Sequence, residues 1–177
     1  MSRFPLIKVV VCLSLVMLFC SAARAQEKTG SAVGKGGGAS EEAAQVFDMK
    51  VPPGFEGEPA DEAGMYKWRK DDAEIYVVIG ELFSGPAQTV FDQLLKAAGG
   101  NKDLENVRTV KLKGGHAFTY TEKTPKGAGD LKILRLIVVT ESNVINVDFT
   151  APEKNFESVL PEFESALKSF KLKSSRS

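Results

Sequence analysis

Cysteine, histidine and tryptophan are scarce in this chain of 177 residues, which has two cysteines, one histidine and one tryptophan. Both cysteines, Cys12 and Cys20, belong to an N-terminal segment that we expect to be removed. The remaining chain would then form no disulfide, cysteine nucleophile or thiolate metal site. Because zinc sites usually take several His or Cys ligands, the single His116 predicts that the domain holds no zinc.

Neither sign of charge is in excess, because 23 basic residues balance 23 acidic ones. Three of the basic residues, Arg3, Lys8 and Arg24, lie in the N-terminal segment. Their removal leaves 20 basic against 23 acidic residues, a net charge of about −3. This mildly acidic balance argues against nucleic acid or an anionic membrane as the partner.

The N-terminus predicts a cleavable secretory signal peptide over residues 1–25. Two positive charges and no acid precede a run of twelve residues, Val9–Cys20, that is apolar except for Ser14. Such a run has the length of a signal-peptide core and is shorter than the roughly 20 residues of a membrane span. The small residues Ala23 and Ala25 then predict cleavage before Gln26. We therefore expect an exported protein, periplasmic or secreted, with no stable membrane span after processing.

Cys20 offers a second mode of processing, as a lipid-anchored cysteine. Lipoprotein processing takes a small residue directly before the cysteine, and this chain has the bulky Phe19 there. The alternative stays open but is disfavoured.

Composition divides the rest of the chain into a spacer, a domain and a tail. Residues 26–45 are rich in glycine, with one isolated valine and no aromatic residue. Such a segment buries too little apolar surface to offset its ordering entropy, which predicts a disordered linker. Residues 46–172 have the hydrophobic periodicity of one folded domain, and 173–177 form a polar tail.

Hydrophobic periodicity predicts the element order β β β α β β β β α in this domain. Alternation indicates strands, of which Leu131–Val139 is apolar on both faces and so is expected to be central and covered on each side. Helical spacing indicates a first helix over residues 90–98. A second helix is expected to begin near Pro161, after a short turn, because proline inside a helix costs about 3 kcal/mol.

Most links between the strands are short, and short links favour antiparallel pairing. A sheet with two apolar faces needs helices on both sides. The predicted fold class is therefore α+β, an α/β/α sandwich around a six- to seven-stranded, mainly antiparallel sheet.

Four short motifs are similar to those of a known family: Val51-Pro52-Pro53-Gly54-Phe55, Gly115-His116-Ala117-Phe118, Phe149-Thr150-Ala151-Pro152 with Phe156, and Leu167-Lys168-Ser169-Phe170-Lys171. They resemble the PsbP-like group, which includes the extrinsic photosystem II protein, bacterial exported domains of unknown role and a Ran-binding nuclear import factor. The resemblance covers roughly Val46 to Leu172 and implies the same α/β/α sandwich. It also implies a non-enzymatic binding or assembly role, and it supplies no active-site residue.

Three residues are candidates for binding: Trp68, His116 and Tyr120. Strand alternation places His116 and Tyr120 on one face, where the favoured interpretation of the histidine is a packed or half-exposed strand residue. As a neutral-pH base, His116 would need a partner such as Ser84 or Asp130 to form a hydrolase site. Trp68 lies beside tyrosine and basic residues that are typical of recognition patches, although a tryptophan packed under a helix is more common.

These observations predict an exported, non-enzymatic accessory domain, without a cofactor, that binds a protein partner or an envelope complex. The alternative is a small-molecule or ion-binding domain with a pocket between sheet and helix. A hydrolase that uses His116 ranks third.

Overall fold

The computed structural model describes residues 46–58, 65–82, 85–124 and 129–173. The predicted signal peptide, its cleavage site at Ala25 and Gln26, and the spacer lie outside the described residues, as do Ser84 and residues 174–177 of the tail. The boundaries predicted for these segments stay predictions.

Nine strands and two helices are present in the described residues. In chain order they are β1 (Phe47–Asp48), β2 (Glu56–Glu58), β3 (Tyr66–Lys70), β4 (Ala73–Glu81), α1 (Ala87–Gly100), β5 (Leu104–Val110), β6 (His116–Lys123), β7 (Leu131–Val139), β8 (Asn143–Pro152), α2 (Glu153–Ser169) and β9 (Lys171–Leu172).

Seven of the strands form one antiparallel sheet in the order β2-β3-β4-β8-β7-β6-β5. Helix α1 packs on one face, against β5, β6 and β7, and α2 packs on the other, against β7 and β8. The predicted fold class, an α/β/α sandwich around a mainly antiparallel sheet, is confirmed. No helix in the four described ranges is both long enough and apolar enough to cross a membrane.

The larger core lies between the sheet and α2. Phe163 of this helix is fully buried and contacts the rings of Phe149 and Phe156, with centroid distances of 5.4 and 6.1 Å. The inward residues of β4, β7 and β8 complete it, among them Ile75, Val77, Leu136, Val138, Ile145 and Val147. Strand β7 also buries Ile137 and Val139 on its other face, so the prediction that this strand is covered on both sides is confirmed.

The first strands differ from the prediction. The predicted order has three strands before the first helix, and the structure has four. The first, β1, has only two residues and pairs with β9 in a separate two-stranded sheet, where Phe47 stacks on Phe170 at 5.4 Å. An additional strand, β2, forms in a polar stretch without hydrophobic alternation. It pairs with β3 because Gly57, directly opposite Trp68, leaves room for the indole ring.

Helix α2 also differs from the prediction, since it begins at Glu153 and continues through Pro161. The proline removes one helical hydrogen bond. Phe156 and Phe163 lie seven residues apart, on the same face of the helix, and both are buried against the sheet. Their burial stabilises helical structure on both sides of the proline.

Replacing Gly57 by alanine is expected to destabilise the domain by about 1–3 kcal/mol. An added Cβ would lie 2.8 Å from two ring atoms of Trp68, so the indole or β2 would have to move. Denaturant unfolding followed by tryptophan fluorescence measures the change. Gly99→Ala in α1 is the matched control: an added Cβ there meets no atom within 4 Å, and the helix should gain about 0.5–1 kcal/mol. Equal effects of the two substitutions would contradict this account.

Candidate functional site

The sheet face that carries α1 is only partly covered. On β4, Ile75 and Val77 point toward α2 and are fully buried, whereas Val78 on the opposite side is 39% exposed. Helix α1 packs on β5, β6 and β7, at the far side of the sheet from β3 and β4. The α1 side of β3 and β4 is called the open face below; its residues are Lys67, Arg69, Glu74, Tyr76 and Val78.

A buried ionic cluster crosses the middle of the same side of the sheet. Tyr120 of β6, Arg135 of β7 and Asp148 of β8 are directly opposite one another in register. Arg135 donates two hydrogen bonds to the Asp148 carboxylate, from Nε at 2.6 Å and from Nη2 at 2.7 Å. Its Nη1 donates to Tyr120 Oη at 3.0 Å and lies 3.2 Å from Glu122 Oε1. These four residues, Tyr120, Glu122, Arg135 and Asp148, are the Arg135 cluster.

One cation in this cluster faces two carboxylates, and burial shapes the charge of each group. Burial tends to lower the pKa of Arg135, but Asp148, with smaller effects of Tyr120 and Glu122, raises it well above its ordinary value. The guanidinium therefore stays charged. Burial raises the pKa of Glu122, although Arg135 opposes the shift, and burial likewise raises the pKa of Tyr120. The environment of the cluster therefore disfavours the charged form of Glu122.

The cluster continues sideways into the open face. Asp148 is opposite Tyr76 in register, and Tyr76 is opposite Lys67, whose ammonium lies 5.1 Å from the centre of the tyrosine ring. Glu74 accepts a hydrogen bond from Tyr76 Oη and pairs with Arg69 Nε at 2.8 Å and Lys67 Nζ at 3.4 Å. The open face is therefore a preorganised set of aromatic and paired charged side chains.

His116 is the first residue of β6 and lies away from the open face, near the first turns of α1. Its ring is half-buried and lies 5.4 Å from the ring of Phe91 in α1. Both residues line a cavity of about 590 Å³ between the first turns of α1 and the ends of β5 and β6. Two exposed lysines of the β5–β6 connection, Lys111 and Lys113, line it as well.

The three residues singled out from the sequence are not brought together. His116 and Tyr120 lie on the same face, as strand alternation indicates, but only Tyr120 belongs to the Arg135 cluster. Trp68 lies on the opposite face of the sheet, half-buried against the core under α2, with its ring 6.2 Å from that of Tyr66. Its position fits a packed tryptophan rather than a recognition patch. Ligand binding by any of the three stays a prediction.

Sequence reasoning missed Glu122, Arg135 and Asp148. A signal for two of them was present, because Arg135 and Asp148 are charges that have apolar neighbours on both sides within a strand. Charged residues are almost never fully buried unless they are paired, so opposite charges in two central strands indicate an ion pair.

The geometry does not bring His116 to Asp130, one of the two partners considered for a hydrolase site; the other, Ser84, lies outside the described residues. Asp130 lies just before β7, at the Lys123 end of β6, whereas His116 is at the opposite end of that strand. Seven residues of extended chain separate these ends, about 23 Å. Within the described residues, no group of three His, Cys, Asp or Glu side chains is placed to hold a metal ion.

No family model and no curated protein sequence matches this chain. Solved structures do match. The structure of LpqN, "involved in cell envelope biogenesis of Mycobacterium tuberculosis", has a TM-score of 0.57 at 10% identity over 72% of this chain and 83% of LpqN. A Bacteroides thetaiotaomicron protein has a TM-score of 0.53 at 14% identity, over 73% of this chain and 46% of its own. The cyanobacterial PsbP of Synechocystis has a TM-score of 0.49 at 20% identity, over 81% of this chain and 98% of its own.

The shared feature is the fold. LpqN and the Bacteroides protein show this chain's architecture. The α/β/α sandwich that the resemblance implied is the fold observed, and the likeness to these two structures is one of fold. At these identities it identifies no binding residue.

Replacing Arg135 by methionine is expected to destabilise the domain by about 3–5 kcal/mol, because it leaves the buried Asp148 carboxylate without its cation. Urea unfolding at neutral pH measures the loss. Arg69→Met is the control on the same sheet face, and it should cost about 1 kcal/mol or less because Arg69 is half exposed. A loss no larger than that of the control would show that the cluster tolerates an unpaired carboxylate.

Glu122→Gln is expected to gain stability relative to the wild type as pH rises from about 4 to about 8. The folded-state pKa of Glu122 is above its ordinary value of 4.5, so the folded protein binds more protons above that pH. The wild type therefore loses stability as pH rises through this interval, and the glutamine variant lacks that loss. Unfolding free energies measured across the pH range test the sign.

Glu153→Gln provides a control of opposite sign. Lys123 lowers the pKa of this exposed carboxyl, so its contribution is present at neutral pH and lost on acidification. The Glu153 variant should thus lose stability relative to the wild type as pH rises. Parallel pH profiles for the two variants would contradict the assignment.

Proposed function

We propose that this chain is an exported, non-enzymatic accessory domain that binds a protein partner through the open face. The observation that carries the proposal is the asymmetry of β4: Ile75 and Val77 are fully buried toward α2, whereas Tyr76 on the other side is half-buried and Val78 is exposed. Val78 is the one large hydrophobic residue that is exposed to solvent in the described part of the chain.

The composition of the open face supports protein binding. It combines an apolar residue, Val78, with Tyr76 and the half-exposed Arg69, and tyrosine and arginine are enriched at interface hot spots. The hydrogen bond and ion pairs to Glu74 hold Tyr76 and Arg69 in place before a partner arrives. Preorganisation of this kind lowers the entropic cost of association. The partner expected here is a folded protein surface with an apolar centre and charges of both signs at its rim.

The Arg135 cluster supports a structural role for the buried charges rather than a catalytic one. Its guanidinium is engaged by two carboxylate oxygens and one phenol oxygen, which leaves it poorly placed to bind a reacting group. The fold is shared with LpqN, a protein of cell envelope biogenesis. An accessory role in the envelope is consistent with the predicted signal peptide, so we place the partner in the envelope.

A second candidate function is the binding of a small molecule. The cavity of about 590 Å³ between α1 and the β5–β6 end of the sheet favours it, because ligand pockets are concave and have volumes of about 300–1,000 Å³. This is the pocket between sheet and helix that the alternative interpretation of the sequence requires.

A photo-crosslinking residue at position 78, in cells that export the protein, is expected to capture a specific envelope protein. The same residue at position 165, exposed on the outer surface of α2, should not capture it. Arg69→Glu should reduce the adduct from position 78 several-fold, because it reverses a charge on the open face. Lys168→Glu, on α2, should leave that adduct unchanged.

Two results would overturn the open-face assignment. One is an equal yield of the same adduct from positions 78 and 165. The other is an adduct from position 78 that persists undiminished in the Arg69→Glu variant while circular dichroism shows both variants folded.

A further inference from the structure

We propose that the cavity between α1 and the β5–β6 connection binds an oxyanion of the phosphate type that is attached to an apolar body. The inference rests on the second candidate function and is independent of partner binding at the open face. The cavity has a volume of about 590 Å³, and its basic lining consists of Lys111, Lys113 and His116.

The cations of the cavity are available to a ligand. Lys111 and Lys113 are both exposed, and neither forms an ion pair with any side chain of the described residues. Eight other lysine and arginine side chains of the described residues do pair with carboxylates: Lys67, Arg69, Lys70, Arg108, Lys123, Lys132, Arg135 and Lys168. The processed chain is expected to carry a slight net negative charge. The positive charge of two unpaired lysines beside a histidine is therefore local to the cavity. Charge of one sign in a concave site concentrates ligands of the opposite sign.

The start of α1 adds to the positive field of the cavity. Gln88 of its first turn lines the cavity, the turn contains no acidic residue, and no side chain of the described residues caps its backbone N–H groups. Uncapped N–H groups at a helix start are hydrogen-bond donors that suit anions. The nearest acidic residue of the helix, Asp92, lies one turn further on and accepts a hydrogen bond from the Gln88 side chain.

The floor of the cavity on the α1 side consists of two neighbouring rings, which determines the rest of the ligand. Phe91 of α1 lies 5.4 Å from the half-buried ring of His116, whereas the side chains of Ala117, Val110 and Leu112, which also border the space, pack against the core under α2. An inorganic ion would leave these rings in contact with water. An organic phosphate whose body covers Phe91 would bury apolar surface at the same time, and each buried methylene contributes about 0.8 kcal/mol. The cavity thus favours an organic phosphate over the bare ion.

Titration of the purified protein with phenyl phosphate tests the proposal. The expected result is saturable shifts of the NMR signals of His116 and of the backbone amides of Gln88 and Phe91. Inorganic phosphate should shift the same signals more weakly, and benzyl alcohol, which lacks the charge, should not shift them. The absence of a saturable shift with phenyl phosphate would overturn the proposal.

Two double variants separate the cavity from the net charge of the protein. Lys111→Gln with Lys113→Gln should weaken phenyl phosphate binding about tenfold or more, since a charge-assisted hydrogen bond alone accounts for about a tenfold change. Lys96→Gln with Lys102→Gln removes the same charge from exposed positions that do not line the cavity, and binding should be unchanged. Equal weakening in the two variants would also overturn the proposal.

Vesicles identify the source of the phosphate. Co-sedimentation of the wild type with phosphatidylglycerol vesicles, but not with phosphatidylcholine vesicles, and its loss in the Lys111/Lys113 variant would assign a lipid headgroup. Phenyl phosphate binding without co-sedimentation would assign a free phosphate ester. An uncharged metabolite that shifts His116 and Phe91, while phosphates do not, would keep the small-molecule function and overturn its anion chemistry.

Discussion

The ion pair between Arg135 and Asp148 fixes how the two most central strands of the sheet can pair. Both charges are buried, and each costs several kcal/mol to remove from water. The two parallel hydrogen bonds, at 2.6 and 2.7 Å, offset that cost together with the contacts of Arg135 to Tyr120 and Glu122. The two bonds to Asp148 form only when the residues are directly opposite. A slip of one residue would turn Arg135 into the apolar core under α2. The pair therefore sets the register of β7 against β8 and decides which face each strand presents to α2.

This constraint also explains why the two sides of the sheet are covered differently. On the α2 side, β4, β7 and β8 present apolar residues, and a helix of 17 residues lies against them. On the α1 side, apolar residues surround Phe118 and Ile137, and the Arg135 cluster borders them. A helix gains little from packing on charges that are already paired, so α1 covers the part of the sheet that offers apolar surface. The remainder becomes the open face.

Much of this fold follows from local patterns in the sequence, and the parts that do not are set by contacts between distant residues. Alternation correctly indicated that β7 is covered on both sides and that His116 and Tyr120 share a face. It could not show that β1 pairs with β9, more than 120 residues away, or that Gly57 accommodates Trp68. The predicted start of α2 was wrong because the prediction counted the cost of Pro161 inside a helix. It did not count the stabilisation that the helix gains by burying Phe156 and Phe163. The Arg135 cluster was missed for a related reason. The order of strands in the sheet, which places Asp148 of β8 beside Arg135 of β7, cannot be read from the sequence of either strand alone.

The arrangement of the sheet keeps the two proposed binding surfaces apart. The open face lies on β3 and β4, whereas the cavity is lined by β5, β6 and α1. Three strand spacings, about 14 Å, separate β4 from β6, and between them stand β8 and β7, joined by the ion pair. The two surfaces share no side chain, so an occupant of one leaves the polar groups of the other unchanged. The two proposed sites therefore do not compete for side chains, and the buried charges between them are engaged in keeping the sheet in register.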